Sequence, residues 1–261
     1  QLMQQFETGW NKEATFAIRD MDAVSEQLEV VKEELRNLTF VEEVSLTNMM
    51  PSQQYIPNYN YQTTGEENRT LGPDHIFADE NYLDVLDLEL IKGRFFERGY
   101  PGDSMTIVIN ETLADELQWE QVIGRKLSRG PGGEFTIIGV IKDFYPTSVK
   151  RQINPLVIRY ADEVNETVSI SDRLLIKMSN ISSVNVAAIS KVYERYSQGY
   201  PFDGVFLNDN FQRLYQNEER FGKVFSTFAG LALFIASLGL ISLAAYSVER
   251  RTKEIAVRKV L

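Results

Sequence analysis

The sequence predicts an α+β fold. Two β-α-β units of ferredoxin-like character are separated by an insertion and followed by a long stalk and transmembrane helix. Three observations lead there. Strand-like and helix-like apolar spacings recur in the order strand, helix, strand near both ends of the first 208 residues. The stretch between them is rich in turn residues and short apolar runs. Residues 224–248 then form a run of 25 without a single charge, which as a helix covers about 37 Å and spans a bilayer core of about 30 Å.

Taken in order, residues 13–19 alternate apolar and polar and read as a strand. Asp22 is placed to cap a helix over residues 24–38, where Val24, Leu28, Val31, Leu35 and Leu38 fall three or four apart. Val41, Val44 and Leu46 mark the returning strand. Residues 48–73, with Pro51, Pro57, Gly65 and Gly72, read as an exposed loop or hairpin. Its Tyr55, Tyr59 and Tyr61 either pack onto the domain or form an aromatic contact surface. A short helix over 81–86, a turn at Lys92-Gly93-Arg94, a strand over 106–110 and a helix over 112–118 follow. The glycine-rich turn 129–133 leads into a strand over 135–141; it lacks the Lys-Ser/Thr ending of a phosphate-binding loop. A strand over 173–178, a helix over 184–196 and a strand over 205–207 complete the second unit. From residue 210 to 225, Phe211, Leu214, Tyr215, Phe221 and Phe225 keep helical spacing, with Asn208 or Asp209 as cap. That helix would run into the apolar span as one rod of about 58 Å over residues 210–248.

The chain carries 27 Lys and Arg against 37 Asp and Glu, a net of −10. Residues 249–261 hold five positive and two negative charges, a net +3, which leaves −13 for the rest. The basic end marks the cytoplasmic side of the span. An acidic ectodomain argues against nucleic acid and anionic lipid surfaces as partners. No cysteine is present, so disulfides, thiolate catalysis and thiolate zinc sites are excluded. His75 is the single histidine, too few for a multi-histidine metal site, and no catalytic motif is found; no site is assigned as catalytic, cofactor-binding or metal-binding. Adjacent acids such as Glu33-Glu34, Glu42-Glu43, Glu66-Glu67 and Asp79-Glu80 read as solvated surface. Gln1 and Leu261 suggest a segment of a longer, polytopic protein.

The segment from Glu218 to Leu261, whose last part reads RTKEIAVRKVL, resembles the FtsX-like permeases of MacB-type ABC transporters. The preceding region resembles the MacB-like periplasmic core domain through Phe77-Ala78-Asp79-Glu80-Asn81-Tyr82, Leu90-Ile91-Lys92-Gly93-Arg94-Phe95-Phe96, Val108-Ile109-Asn110-Glu111 and the run from Ile137 to Phe144, with Pro155 beyond. Residues 9–13 resemble the entry to the second periplasmic domain of tandem permeases, and Pro146 departs from the usual pattern at its corner. The resemblance implies a core domain over 1–208, made of a split β-α-β porter-like part (about 10–50 and 170–208) and an inserted mostly-β lobe (about 51–169). It further implies a stalk over 209–223, a transmembrane helix over 224–248 and a cytoplasmic ATPase-coupling segment over 249–261.

By the same resemblance, Arg251, Lys253, Glu254, Ile255, Ala256, Arg258 and Lys259 would contact a separate nucleotide-binding subunit that binds ATP; this chain needs no cofactor of its own. Ala232, Ala236 and Gly239 form a small-residue stripe suited to packing against another permease helix, in a homodimer or a tandem pseudo-dimer. Residues 1–223 would lie in the periplasm of a bacterial inner-membrane protein engaged in efflux or mechanotransmission, with a periplasmic adaptor or substrate as further partner. A single-pass sensor or adhesion protein is the alternative, and a membrane-tethered periplasmic enzyme a third reading.

Overall fold

A computed structural model describes residues 8–11, 14–51, 53, 55–64, 68–147, 152–161 and 173–260. It divides into two compact units, Gln1–Phe211 and Gln212–Leu261. The first unit opens with β1 (Thr15–Ile18), a 3-10 turn (Asp22–Gln27), α1 (Leu28–Arg36) and β2 (Val41–Thr47). The expected helix over 24–38 is thus shorter, and Asp22 does not cap it by its side chain. The backbone N–H of Asp22 instead donates to Asp20 Oδ1, which tightens the chain into a 3-10 turn that buries Met21 and Val24.

The middle of the chain is richer in strands than its turn residues suggest. It holds β3 (Tyr61–Thr63), β4 (Thr70–Leu71), β5 (Asp74–Ala78), α2 (Tyr82–Leu86), β6 (Leu90–Gly93) and β7 (Thr106–Asn110). Then come α3 (Glu111–Leu117), β8 (Lys126–Ser128), β9 (Glu134–Ile141) and β10 (Leu156–Tyr160). The expected turn at Lys92-Gly93-Arg94 lies partly in β6, which bulges against β9. Gly93 sits at φ +79, and a Cβ there would fall 2.1 Å from Ile138 O, so only glycine allows this approach. Asn110 caps α3 by accepting from Leu113 N–H at 3.1 Å.

The unit closes with β11 (Arg173–Met178), α4 (Ser183–Tyr196) and β12 (Gly204–Phe206), after which α5 (Leu207–Val260) begins with no intervening residue. Leu207, expected in the strand, is therefore helical. Asn208 and Asp209, expected as caps, lie inside the first turn.

Among the described residues all twelve strands share one sheet, in the order β12-β1-β11-β2-β5-β10-β7-β9-β8-β3-β4, with β6 alongside β9. Neighbours among the first four are antiparallel. Each pair of strands joined by a helix is thus separated by one strand from the other unit, the interleaving of a ferredoxin-like layer. Its core joins Phe16, Ile18, Val31, Leu35, Val44, Leu174, Ile176, Ile189 and Tyr193. A second core gathers Tyr61, Ile107, Ile109, Leu127, Phe135, Ile137 and Val157. The two sub-sheets meet at a single β2–β5 pair, Thr47 with Ala78.

Around the second core the strands close on themselves. Tyr61 pairs with Leu71 and Gln62 with Thr70, and the bridge from Asn58 to Asp74 continues that register. Tyr59 N–H donates to Pro73 O and His75 N–H to Pro57 O. The path β5-β10-β7-β9-β8-β3 thereby returns to β5, forming a small six-stranded barrel filled by side chains.

Candidate functional site: the membrane helix and the polar anchors

The second unit is described by its helix. Within α5, Val224–Val248 is long and apolar enough to cross a membrane, and none of it is buried. It is not the core helix of the first unit, since no described residue covers it. Ser237 satisfies its hydroxyl by donating to Leu233 O at 2.8 Å, as a lipid environment requires. Ala232, Ala236 and Gly239 are exposed, and at i, i+4 and i+7 they share one helix face; a Cβ on Gly239 would meet nothing within 4 Å. Arg251, Lys253, Glu254, Ile255, Ala256, Arg258 and Lys259 continue the same helix in their backbone; their side chains lie outside what the structure describes.

The motifs that carried the resemblance are structural pins in the first unit. Asp79, expected at the solvated surface, is instead buried, because partners from α1 and β2 satisfy it: it accepts from Ser45 Oγ at 2.6 Å and Leu46 N–H at 2.7 Å, and pairs with Lys32 Nζ at 3.1 Å. This cluster sits beside the lone Thr47–Ala78 pair and ties α1 to the seam between the sub-sheets. Burial alone would lower the Lys32 pKa, but Asp79 and Glu29 more than reverse it and hold the ammonium above its ordinary value. Arg94 grips Asp103 with both terminal nitrogens, at 3.0 and 2.6 Å, and Glu97 N–H donates to the same fully buried carboxylate. Asp143 accepts from Asn110 Nδ2, Thr112 N–H and Thr112 Oγ1, a second cap for α3 supplied by the loop that follows β9.

The entry segment docks at that corner. Trp10 Nε1 donates to Tyr145 O, Tyr145 N–H donates to Thr8 O, and Gly9 at φ +76 leaves no room for a Cβ beside Phe144. Lys12 and Glu13 of this motif lie outside the described residues, as do Gly65, Glu66 and Glu67.

The three loop tyrosines divide. Tyr61 is fully buried, Tyr59 lies half-exposed under the Arg129 guanidinium, and Tyr55 is exposed. Sequence reading missed what Tyr61 contacts. His75, fully buried, is hydrogen-bonded through Nε2 to the Tyr61 hydroxyl at 3.0 Å. Burial, with Arg159 and Arg129 nearby, pushes the His75 pKa down to about 3; burial pushes the Tyr61 phenol up to about 12. Both are neutral near pH 7. Lys32, buried, and Arg159, half-buried, were likewise invisible, because an inward-facing cation inside an apolar-periodic stretch carries no local signal.

Two clefts of about 400 Å³ open on the first unit. One is lined by Asp20, Asp22, Glu26 and Tyr200, the other by Tyr55, Asn58, Asp74 and Asn154. Neither brings a nucleophile to a base, and among the described residues no group of three or more metal-ligating side chains converges.

The profile of the MacB-like periplasmic core domain family matches residues 3–192. Among solved structures, the periplasmic region of MacB from Actinobacillus actinomycetemcomitans superposes with a TM-score of 0.58 at 14% identity, covering 83% of this chain and 99% of that one. The extracellular domain of the noncanonic ABC-type transporter YknZ from Gram-positive bacteria gives a TM-score of 0.48 at 12% identity, over 73% and 97%. A domain of a putative permease protein from Porphyromonas gingivalis gives 0.47 at 19% identity, over 70% and 82%. No curated protein matches. At 14% identity the likeness to the MacB periplasmic region speaks for the fold alone, and it agrees with the mixed α+β architecture described above. The family match covers well over half of the sequence, and the chain belongs to the MacB-like periplasmic core domain family.

Proposed function

We propose that this chain is the extracytoplasmic domain and adjoining membrane helix of an ABC transporter permease, and that it passes movement between a cytoplasmic ATPase subunit and the far side of a bacterial inner membrane. The observation that carries the reading is α5: one helix from Leu207 to Val260, containing an apolar span and then a basic segment, and starting directly at the end of β12. A continuous helix transmits axial displacement, whereas a flexible linker of Gly/Ser type dissipates it. Residues 1–223 stand on the extracytoplasmic side by the positive-inside rule, since Arg250, Arg251, Lys253, Arg258 and Lys259 follow the span.

In this reading the residues from Arg251 to Lys259 press on the nucleotide-binding partner, and ATP is bound there. Ala232, Ala236 and Gly239 seat a neighbouring permease helix. The ferredoxin-like layer, through β12, receives the movement, and the segment over about 51–169 acts as an inserted lobe with its own core. The test is Lys253→Glu with Arg258→Glu in the full-length permease reconstituted with its ATPase. The expected outcome is basal ATP hydrolysis that no longer responds to the permease, with an ectodomain of unchanged fluorescence and unfolding midpoint. Coupling that survives the double substitution removes the role assigned to this segment.

A further inference from the structure

The barrel holds two arginines that its own side chains do not neutralise. Strand pairing sets Arg159 beside Phe77 and Ile107, on the face that also carries His75, Val157 and Ile109. That face is the one lining the second core, so Arg159, half-buried, points its stem and Nε into the barrel. Its guanidinium lies 4.2 Å from the Phe135 ring centroid and 5.4 Å from that of Phe77. Arg129, from the glycine-rich turn, stacks on Tyr59 at 4.2 Å. In a chain with 37 carboxylates, no described carboxylate pairs with either.

Two polar atoms in this cluster have no partner. Arg159 Nε and His75 Nδ1 are both buried without a hydrogen bond, although native interiors satisfy nearly all such groups. The Tyr61 phenol stays protonated and can donate to His75 Nε2. That tautomer leaves an N–H at Nδ1, so the unmet groups are both donors. Aromatic rings cover the flat faces of the guanidiniums and leave their edges, the part that forks onto an oxyanion, available. A half-buried cation whose Nε is sealed off without a partner, beside a second cation, is costly alone and favourable once an anion joins them.

We propose that this end of the barrel is a binding site for a small oxyanion, a carboxylate or phosphate group, held by Arg159 and Arg129, with the His75–Tyr61 pair as its polar floor and Tyr59, Phe77 and Phe135 as its walls. This site is separate from the membrane helix and does not depend on the transport reading. It gives the extracytoplasmic domain a ligand of its own.

His75 is the single histidine, so ¹⁵N-histidine labelling of the whole chain in detergent micelles places one imidazole in the spectrum. The probes are sodium phosphate and sodium acetate, each titrated at pH 7.5 and constant ionic strength against chloride. The expected result is a saturable shift of the His75 nitrogens with at least one of them. Saturation by phosphate assigns a tetrahedral oxyanion, and saturation by acetate a carboxylate. Arg159→Met, which keeps an apolar stem against Phe135, abolishes the saturable shift. Arg129→Gln, at a partly exposed turn and safe for folding, weakens the affinity roughly tenfold or more. A shift that stays linear for both anions in the unsubstituted chain overturns the proposal. So does a saturation curve unchanged in Arg129→Gln and, where that variant folds, in Arg159→Met.

Discussion

The buried histidine makes a quantitative statement about acid stability. In the folded chain His75 titrates at about 3, against about 6.5 for an unfolded histidine. The groups facing it are Tyr59, Tyr61, Arg129 and Arg159, none of which favours a positive imidazole. Between those two values the unfolded chain binds the proton and the folded chain does not. The stabilisation is therefore complete above pH 6.5 and is lost as the pH falls toward 3. Each pH unit inside the window costs about 1.4 kcal/mol, so lowering the pH from 7.5 to 4.5 removes about 2.7 kcal/mol through this residue alone. The figure hardly depends on the folded value, because pH 4.5 stays well above it. Urea unfolding of the whole chain in detergent micelles, followed by tryptophan fluorescence, measures the loss; Trp10 and Trp119, its two tryptophans, both precede α5. His75→Phe fills the same space and cannot titrate. It loses the Tyr61 hydrogen bond, about 1 kcal/mol at any pH, but its stability should fall by about 2.7 kcal/mol less than that of the unsubstituted chain over this range. Parallel pH profiles for the two proteins would refute the assignment of a neutral buried imidazole.

Other consequences are testable with the same measurement. Asp79→Asn removes the buried one of Lys32's two counter-charges, leaving Glu29, and should cost about 3 kcal/mol, while Lys32→Met costs less because Asp79 keeps its bonds from Ser45 and Leu46; equal losses would contradict the seam cluster. Gly93→Ala forces a methyl group to 2.1 Å from Ile138 O at a left-handed φ and should lower stability by more than 2 kcal/mol, with β6 losing amide protection first. At Gly204 a Cβ would stand 2.2 Å from the Phe16 ring, so Gly204→Val should displace β12 from β1 and cost about 1–3 kcal/mol; unchanged exchange at the Ile18–Gly204 pair would show that the close approach is not real. A four-residue Gly-Ser insertion after Gln216 should abolish ATPase coupling while leaving the unfolding midpoint of the ectodomain within about 0.5 kcal/mol. Retained coupling would count against a rod.

Much of this fold was readable along the chain. The strands over 106–110 and 173–178 and the helix over 184–196 needed only local apolar spacing; the cap of that helix, Ser182, which accepts from Asn185 N–H at 3.1 Å, was not read. Strands β5, β8 and β10 were missed because they are short and buried on both faces, or interrupted by prolines and charges that only their partners explain. Arg159 illustrates the difficulty. Within Leu-Val-Ile-Arg-Tyr it looks like the solvent-facing residue of an edge strand, yet pairing with β5 and β7 turns it into the barrel.

The amino-acid order by itself settled the α+β character, the two strand-helix-strand units and the charge-free span with its basic flank, because each is written in periodicity or charge that neighbours along the chain share. Tertiary structure alone decided that the middle strands close into a barrel, that one residue pair joins the two sub-sheets, and that Lys32, His75 and Arg159 end up inside. Those outcomes depend on contacts between residues tens of positions apart, and burial of a polar group is a property of the partners brought to it rather than of its own place in the sequence.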